Sequence, residues 1–174
     1  MAGAYYIYGH HSVVFALKNP QRIKHKLWVT AAAHAKLKDD GLEQSIEKIP
    51  TQIVEAKFLD GKVGDMSVHQ GCVLACEPLP HTNLQSFLGT FSEKQATFII
   101  LDHVMDPQNV GAILRTAAAF HVGALIVHDR HSPPNHSPSL IKAACGAVEL
   151  VPVIRVANIV QGMEILKEQG FWCI

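Results

Sequence analysis

The sequence lacks the features that would assign it to several large classes of protein. It has no net charge, with 15 basic and 15 acidic residues, so its overall composition does not favour a polyanionic partner. No apolar run approaches the roughly 18 residues that a membrane-spanning helix needs. The segment Met1–Ala16 is too polar for a signal peptide. We therefore expect a protein of the cytoplasm that does not associate with membranes.

The four cysteines and 11 histidines do not form a disulfide or metal framework. No two cysteines have Cys-x-x-Cys spacing, and Cys72, Cys76 and Cys145 have apolar neighbours that are typical of buried thiols. The one tight group of histidines, within His128–His136, lacks the helical i, i+4 spacing of a zinc site. The sequence therefore predicts neither disulfides nor a bound metal.

Apolar residues are abundant, at 48% against 17% charged residues, which is typical of a globular protein. Residues 1–77 mix strand-like runs with short helices, which predicts a small α+β domain. Residues 78–94 contain prolines and glycine and are interpreted as a linker with one helical turn at Leu84–Leu88. In residues 95–174 strands alternate with helices. This alternation predicts an α/β domain with right-handed crossovers and a parallel sheet.

The predicted elements are as follows. The first domain has strands at Tyr5–Tyr8, Lys26–Thr30, Gln52–Ala56 and Gly71–Glu77, and helices at Val13–Lys18, capped by Ser12, and Ala31–Leu37. The second domain has strands at Thr97–Leu101, Ala124–His128, Val151–Ile154 and Phe171–Ile174, and helices at Asn109–Phe120, Ser139–Val148 and Ile159–Gln169. Because the last run is more typical of a central strand, we expect a truncated chain with further elements after Ile174.

The segment Leu101–Phe120, LDHVMDPQNVGAILRTAAAF, contains the chemically most informative residues. A turn built on Asp106 and Pro107 follows a buried strand, and Asn109 can cap the helix that begins there. Arg115 is a lone charge in this small-residue helix, and burying it without a partner would be costly. It either forms a structural ion pair or serves a functional site, and Asn109 is either a plain cap or a site residue. The acidic residues available for an ion pair are Asp102, Asp106 and Asp129.

Common catalytic motifs are missing from this segment, which has no G-x-G-x-x-G, no phosphate-binding P-loop and no serine elbow. It resembles instead the first signature of the SpoU (TrmH-type) branch of the knotted SPOUT RNA methyltransferases. The residues at that family's spacing are Asp106, Pro107, Asn109, Gly111, Arg115 and Ala117. Leu140–Val153 resembles the segment that follows in the family, with Ala144 where members often have serine.

The first domain resembles the family's amino-terminal RNA substrate-binding domain, which has a fold like that of ribosomal protein L30. The residues that carry this resemblance are Gly9-His10 before a helix and His69-Gln70-Gly71 before a strand. The resemblance covers nearly the whole chain and is closest to the bacterial 23S rRNA guanosine 2′-O-methyltransferase subgroup. It implies S-adenosylmethionine as methyl donor, a ribose 2′-hydroxyl as acceptor and a homodimer.

The resemblance also implies a carboxyl-terminal trefoil knot that binds the cofactor through a Gly-x-Glu signature and a Ser-Leu-Asn signature. Ser-Leu-Asn does not occur in this chain, and both signatures should lie beyond Ile174. We therefore expect the cofactor-binding residues beyond Ile174 and a chain that is inactive alone. Arg115 and Asn109 are the expected catalytic residues, because an arginine can bind phosphate in a bidentate manner and orient the neighbouring sugar.

Before residue 27 every residue charged at neutral pH is basic, and together with His10 this basic cluster is expected to contact RNA phosphates. Its members are Lys18, Arg22, Lys24 and Lys26. Alternatively, the cluster is an ordinary solvated surface. Two other functions also remain open. One is a non-catalytic RNA-binding module, and the other is a small-molecule α/β enzyme with its site in the loop Asp129–Pro138, at the carboxyl end of a strand.

Overall fold

The computed structural model describes residues 5–64, 67–91 and 96–174, which form two compact units. The first unit comprises Met1–Leu79 with Cys145–Glu149, and the second comprises Pro80–Ala144 with Leu150–Ile174. The division after residue 79 lies close to the predicted domain end at residue 77. The segment from Pro80 is part of the second unit. Residues 92–94 of the predicted linker, and residue 95, lie outside the described residues.

The first unit is built on a four-stranded sheet in the order β1-β4-β2-β3. Its strands are β1 (Tyr5–Tyr8), β2 (Lys24–Val29), β3 (Thr51–Ile53) and β4 (Cys72–Cys76). Its helices are α1 (His10–Lys18), α2 (Ala31–Asp39), α3 (Glu43–Glu47) and α4 (Ala56–Val63), followed later in the chain by a 3-10 turn at Ala147–Glu149. β4 is antiparallel to both neighbours, and β3 is parallel to β2.

All five residues of the central strand β4 are buried, because both faces of this sheet are covered. Val73 and Ala75 pack with Trp28 of β2 and Leu59 of α4 in one apolar cluster. Since side chains alternate along a strand, Cys72, Leu74 and Cys76 point to the opposite face. A strand buried on both faces has a continuous apolar sequence, which explains why the sequence alone predicts it.

The local predictions for the first unit were partly wrong. Helix α1 begins at His10, so Ser12 lies inside the first turn and does not cap it. Gly9, with φ 90°, occupies the cap position, and Oε1 of Gln70 accepts a hydrogen bond from the His10 N–H at 2.8 Å. The cap comes from a residue 60 positions away, which local sequence cannot reveal. The third strand is shorter than expected, and α3 and α4 were not predicted.

The second unit contains the predicted parallel sheet, so the α/β fold class is confirmed. Its strands β5 (Phe98–Leu101), β6 (Ala124–His128) and β7 (Val153–Val156) lie in sequence order and are parallel. Its helices are α5 (Leu84–Thr90), α6 (Pro107–Ala119), α7 (Pro138–Ala144) and α8 (Ile159–Glu168). Both crossovers proceed in the same direction across the sheet. Right-handed connections therefore place α6 and α7 on one face.

Helices α5 and α8 cover the other face of this sheet. The buried residues of that core are Leu84, Ala124, Ile126, Ile154 and Leu166. On the opposite side α6 and α7 approach closely at a glycine. A Cβ at Gly111 would lie 2.6 Å from Cβ of Ala143 and 2.7 Å from the carbonyl oxygen of Leu140. Only glycine allows this approach of the two helices without displacement of backbone atoms.

The prediction of a fourth strand at Phe171–Ile174 is wrong, since these residues form no regular element. Gly170, with φ 88°, ends helix α8, and its N–H donates to the carbonyl of Lys167 at 2.9 Å. The Phe171 N–H donates to the carbonyl of Leu166 at 3.1 Å. This pair of bonds is a Schellman cap, with an apolar residue directly after the glycine. Phe171 therefore closes a helix, while Trp172 is 93% exposed.

Across residues 5–64, 67–91 and 96–174, none of the helices is both long enough and apolar enough to cross a membrane. The prediction that Cys145 is buried is wrong, because it lies exposed, whereas Cys72 and Cys76 are buried as expected. Cys145 adopts a positive φ of 50° just after α7 ends, at a turn where its side chain faces outward.

Candidate functional site

Helix α6 begins at the loop that follows the carboxyl end of β5. Asp106 is its cap, and its side chain accepts a hydrogen bond from the Gln108 N–H at 3.0 Å. Pro107 occupies the first helical position, where a missing N–H has no consequence. Asn109 therefore does not cap the helix, which was one of the two roles predicted for it. It lies exposed in the first turn, which leaves its side chain available to the site.

Arg115 lies two turns along α6, about 9 Å from Asn109 along the helix axis. Its side chain is exposed, beside the buried face formed by Val110, Leu114 and Ala117. Among the described residues, no acidic side chain forms an ion pair with it, so the predicted alternative of a structural pair is not observed. An exposed guanidinium without a partner keeps all its donors available for a ligand.

Three histidines gather at the carboxyl ends of β5 and β6. His103 stacks on His131, with ring centroids 4.6 Å apart and planes 20° apart, and His131 in turn lies 4.5 Å from His128. Nδ1 of His103 lies 2.6 Å from Oδ1 of Asp102. Sequence analysis missed His103, whose φ of 55° turns the chain out of β5. Within the described part of the chain, no group of three or more His, Cys, Asp or Glu side chains is arranged to bind a metal ion.

The loop after β6 is fixed by Arg155 of β7, another residue that sequence analysis missed. Its guanidinium donates to the Asp129 carbonyl at 2.8 Å, to Oδ1 of Asn135 at 3.2 Å and to the Pro133 carbonyl. Burial lowers the pKa of Arg155, and the charge of Asp129 opposes this shift. Since three carbonyl-type acceptors surround one side chain, the loop has a defined shape at the sheet edge.

Arg22 was predicted to contact RNA, but its guanidinium is buried and paired. Its Nη2 lies 2.5 Å from Oε1 of Glu149, and the two side chains are only 2% and 1% exposed. Nη1 donates to the hydroxyl of Tyr5 at 2.5 Å and to the Glu77 carbonyl at 2.7 Å. Burial alone would lower the pKa of Arg22, but the hydrogen bond and charge of Glu149 raise it overall. Arg22 is therefore a charged structural residue of the first unit.

The three lysines of the basic cluster remain accessible to different degrees. Lys18 is exposed, while Lys24 is half-buried and donates from Nζ to the Asn19 carbonyl at 2.6 Å. Burial lowers the pKa of Lys24. Nζ of Lys26 lies 5.3 Å from the centroid of the Trp28 ring, at the distance of a cation–π contact. These three lysines therefore present cations on the first unit.

His10, also predicted to bind RNA, is largely buried in the wall of a cleft in the first unit. Its Nε2 lies 2.8 Å from Oδ2 of Asp40. The same cleft is lined by His69 and Gln70, two residues of the sequence motif that precedes β4. The two motifs that marked the first domain therefore meet at one place.

Each of the two units matches a known protein family. The family description "RNA 2′-O ribose methyltransferase substrate binding" matches residues 6–82, and "SpoU rRNA Methylase family" matches residues 96–174. A 23S rRNA (guanosine-2′-O-)-methyltransferase RlmB from Vibrio vulnificus is 36% identical over 177 residues, which cover 97% of this chain and 68% of that protein. The chain belongs to the SpoU rRNA methylase family.

Other relatives of this SpoU-family chain agree with that assignment. A putative TrmH family tRNA/rRNA methyltransferase from Staphylococcus haemolyticus is 32% identical over 95% of this chain and 66% of its own length. The solved structure of the SpoU methyltransferase AviRb from Streptomyces viridochromogenes superposes with a TM-score of 0.71 at 18% identity, over 97% of this chain and 60% of that one. That likeness shows the fold.

A second solved structure, an AdoMet-bound rRNA methyltransferase from Sinorhizobium meliloti, gives a TM-score of 0.70 at 19% identity, over 92% of this chain and 58% of that one. The SpoU-family chain thus spans about two thirds or less of these four proteins. Residues Asp106–Arg115 fall within the matched methylase region, and His10 and the lysines fall within the matched substrate-binding region.

Proposed function

We propose that this chain provides the RNA-binding unit and the first part of the catalytic unit of an RNA ribose 2′-O-methyltransferase. The proposed substrate is a guanosine of 23S rRNA, because a relative at 36% identity bears that activity in its name. The proposed methyl donor is S-adenosylmethionine, since two of the solved family structures contain it. We further propose a homodimer that acts in the cytoplasm, with an RNA-binding domain at 1–77 and a methyltransferase domain from residue 95.

The observation that carries this proposal is the exposed Arg115 on α6, which has no ion-pair partner among the described residues. Its helix begins at the carboxyl edge of a parallel sheet, where α/β proteins bind ligands. A buried or paired arginine would have a structural explanation, as Arg22 does. An accessible guanidinium on this helix is suited to bind a phosphate oxygen of the RNA backbone through two parallel hydrogen bonds.

In the proposed reaction, the ribose 2′-oxygen forms a bond to the methyl carbon while the carbon–sulfur bond of the donor breaks. The 2′-hydroxyl would lose its proton to solvent, and the donor sulfur would keep the electron pair of the broken bond, so that S-adenosylhomocysteine would leave. Arg115 would orient the sugar through the neighbouring phosphate and stabilise negative charge on the attacking oxygen. Asn109 would position the target from the first turn of α6. S-adenosylmethionine would supply the methyl group, and we assign none of the described residues to bind it.

The RNA contacts of the first unit are proposed for His10, Lys18, Lys24 and Lys26, without Arg22. Accessible lysines attract phosphates without reading sequence, and their contribution depends on salt. A neutral net charge is compatible with this role because RNA recognition also depends on shape and on the 2′-hydroxyl.

The test is transfer of labelled methyl from S-adenosylmethionine to deproteinised 23S rRNA by the protein encoded by the native gene. We expect label in RNA at one guanosine, and we expect the following phosphodiester bond to resist alkaline cleavage because the 2′-oxygen is blocked. Label on a base would contradict the 2′-O assignment. RNA binding without any label would instead support a non-catalytic RNA-binding module. Label only in small molecules would support an α/β enzyme with its site at the loop after β6.

A further inference from the structure

An open cleft of about 410 Å³ lies entirely within the first unit. This volume is within the roughly 300–1,000 Å³ of ligand sites and is large enough for one nucleotide. The walls come from the start of α1, from α2 and the residue before it, from the first residue of α4 and from the turn before β4. The polar side chains and the glycine that line it are His10, His11, Thr30, Lys36, His69, Gln70 and Gly71.

The lining is basic, and no carboxylate contributes to it. Lys36 is exposed on α2, and no ion pair with it is found among the described residues, whereas Lys38 on the same helix pairs with Glu43 at 2.7 Å. Asp40 and Asp60 lie within hydrogen-bond distance of the Nε2 atoms of His10 and His69, respectively, and neither lines the cleft. Among the side chains that line the cleft, a negatively charged group would therefore meet a lysine ammonium and imidazoles but no acid.

The shape of the cleft is fixed by the turn at Gln70 and Gly71. Both residues have positive φ, 49° and 78°. A Cβ at Gly71 would lie 2.5 Å from Oγ1 of Thr30, so only glycine lets this turn approach the start of α2. Nδ1 of His69 accepts a hydrogen bond from the Gly71 N–H at 3.0 Å. Since both ring nitrogens of His69 have partners, this residue shapes the cleft and does not contact a ligand.

Only one of the two ring nitrogens of His10 has a hydrogen-bond partner among the described residues, unlike those of His69. Nε2 of His10 donates to Asp40, because an ionised carboxylate can only accept. In the neutral imidazole that bond leaves Nδ1 as an acceptor, and Nδ1 has no hydrogen-bond partner in the part of the chain described. The side chain is 8% exposed and lines the cleft. Nδ1 of His10 can accept a hydrogen bond from a hydroxyl group, and the ammonium of Lys36 can bind an anion. A ligand that carries a hydroxyl next to an anionic group therefore fits this part of the cleft.

We propose that this cleft binds one ribose-phosphate unit of RNA, with Lys36 on the phosphate and Nδ1 of His10 accepting a hydrogen bond from the 2′-hydroxyl. This inference rests on the proposed RNA substrate but extends it to a defined subsite and to Lys36, which sequence analysis did not select. The N–H groups in the first turns of α1 and α2 add partial positive charge to the same space. The subsite distinguishes RNA from DNA by chemistry, because DNA has no 2′-hydroxyl.

The test uses this 174-residue chain, a labelled single-stranded RNA of mixed sequence and its all-2′-deoxy counterpart. Lys36→Gln should weaken RNA binding by about tenfold and reduce the slope of log affinity against log salt by about 0.7, the value for one phosphate contact on a single strand. Lys38→Gln is the matched control and should change neither. The wild-type chain should bind RNA about 3- to 10-fold more tightly than the deoxy strand. A folded His10→Phe variant should bind both equally.

The outcomes separate this subsite from the general proposal. Equal effects of Lys36→Gln and Lys38→Gln, with intact RNA binding by the wild type, would overturn the cleft and leave the RNA substrate in place. Equal affinity of the wild type for RNA and DNA would overturn the role of His10. No RNA binding by the wild type would contradict the proposed function itself. Titration with inorganic phosphate completes the test. If the chain binds phosphate, loses that binding in Lys36→Gln and does not bind RNA, the cleft is a site for a free anion.

Discussion

Arg115 makes the most specific prediction at the scale of single residues. Its side chain is exposed and contributes no ion pair to the described structure, so Arg115→Ala should leave the free energy of unfolding within about 0.5 kcal/mol of wild type. In the protein encoded by the native gene, the same change should slow methyl transfer about 10²-fold or more, because charge stabilisation at the reacting oxygen is lost. Arg115→Lys should also be slow, since an ammonium cannot form two parallel hydrogen bonds. Initial rates and thermal unfolding measure both effects.

Thr116→Ala is the control for Arg115, because Thr116 is the next residue on α6, is exposed and bonds only the Ala112 carbonyl of its own helix. It should keep wild-type turnover. Full activity in a folded Arg115→Ala protein would contradict the proposed catalytic role of this residue.

Arg22 leads to the opposite prediction, loss of stability without a specific loss of RNA contact. Removing one partner of a buried ion pair leaves the other charge uncompensated, so Arg22→Ala should lower the free energy of unfolding by about 3–5 kcal/mol. Lys18→Ala, at an exposed position, should change it by less than about 0.5 kcal/mol. Chemical denaturation of both variants is the measurement. If the Arg22→Ala chain is as stable as wild type and its RNA binding depends less on salt, Arg22 contacts RNA after all.

At the scale of elements, the sequence predicted the helices and strands that are determined by residues close together in the chain. Ala124–His128 was predicted with its observed bounds, because a buried strand has a continuous apolar run. The start of α6 was predicted two residues late, because Asn109 was chosen as the cap over Asp106. Contacts between distant residues could not be predicted in this way. The Gln70 cap of α1, the burial of Arg22 by Glu149 and the anchoring of a loop by Arg155 all join residues at least 20 positions apart.

The close approach of α6 and α7 gives a prediction at this scale. Gly111→Ala would place a methyl group 2.6 Å from Cβ of Ala143, so the helices must separate, and we expect a loss of about 1–3 kcal/mol in stability. Gly89→Ala in α5 is the matched control, because among the described residues no atom outside its own helix backbone and chain neighbours lies within 4 Å of the position that its methyl group would take, and alanine favours helix. It should be neutral or stabilising. If both variants melt at the same temperature, the packing at Gly111 does not limit stability.

At the scale of the whole molecule, recognition and chemistry are proposed for different units. The cleft with Lys36 and His10 lies in the first unit, while Arg115 and Asn109 lie in the second. The neutral net charge of the chain therefore conceals local excesses of positive charge, and salt dependence should be governed by individual lysines. This arrangement explains why composition alone did not indicate RNA while motifs did.

The four cysteines of the chain allow the burial of β4 to be tested in one measurement. Burial raises the pKa of the Cys72 thiol to about 12 and that of Cys76 to about 11, whereas Cys145 and Cys173 are exposed. Because the thiolate is the reactive form, a thiol reagent at pH 8 should label Cys145 and Cys173 at least about 10²-fold faster than the two thiols of β4. Intact-mass analysis should show two labels on the native chain and four in guanidinium chloride. A Cys145→Ser variant should show one rapid label. Rapid labelling of all four thiols without denaturant would mean that β4 is not the buried centre of its sheet.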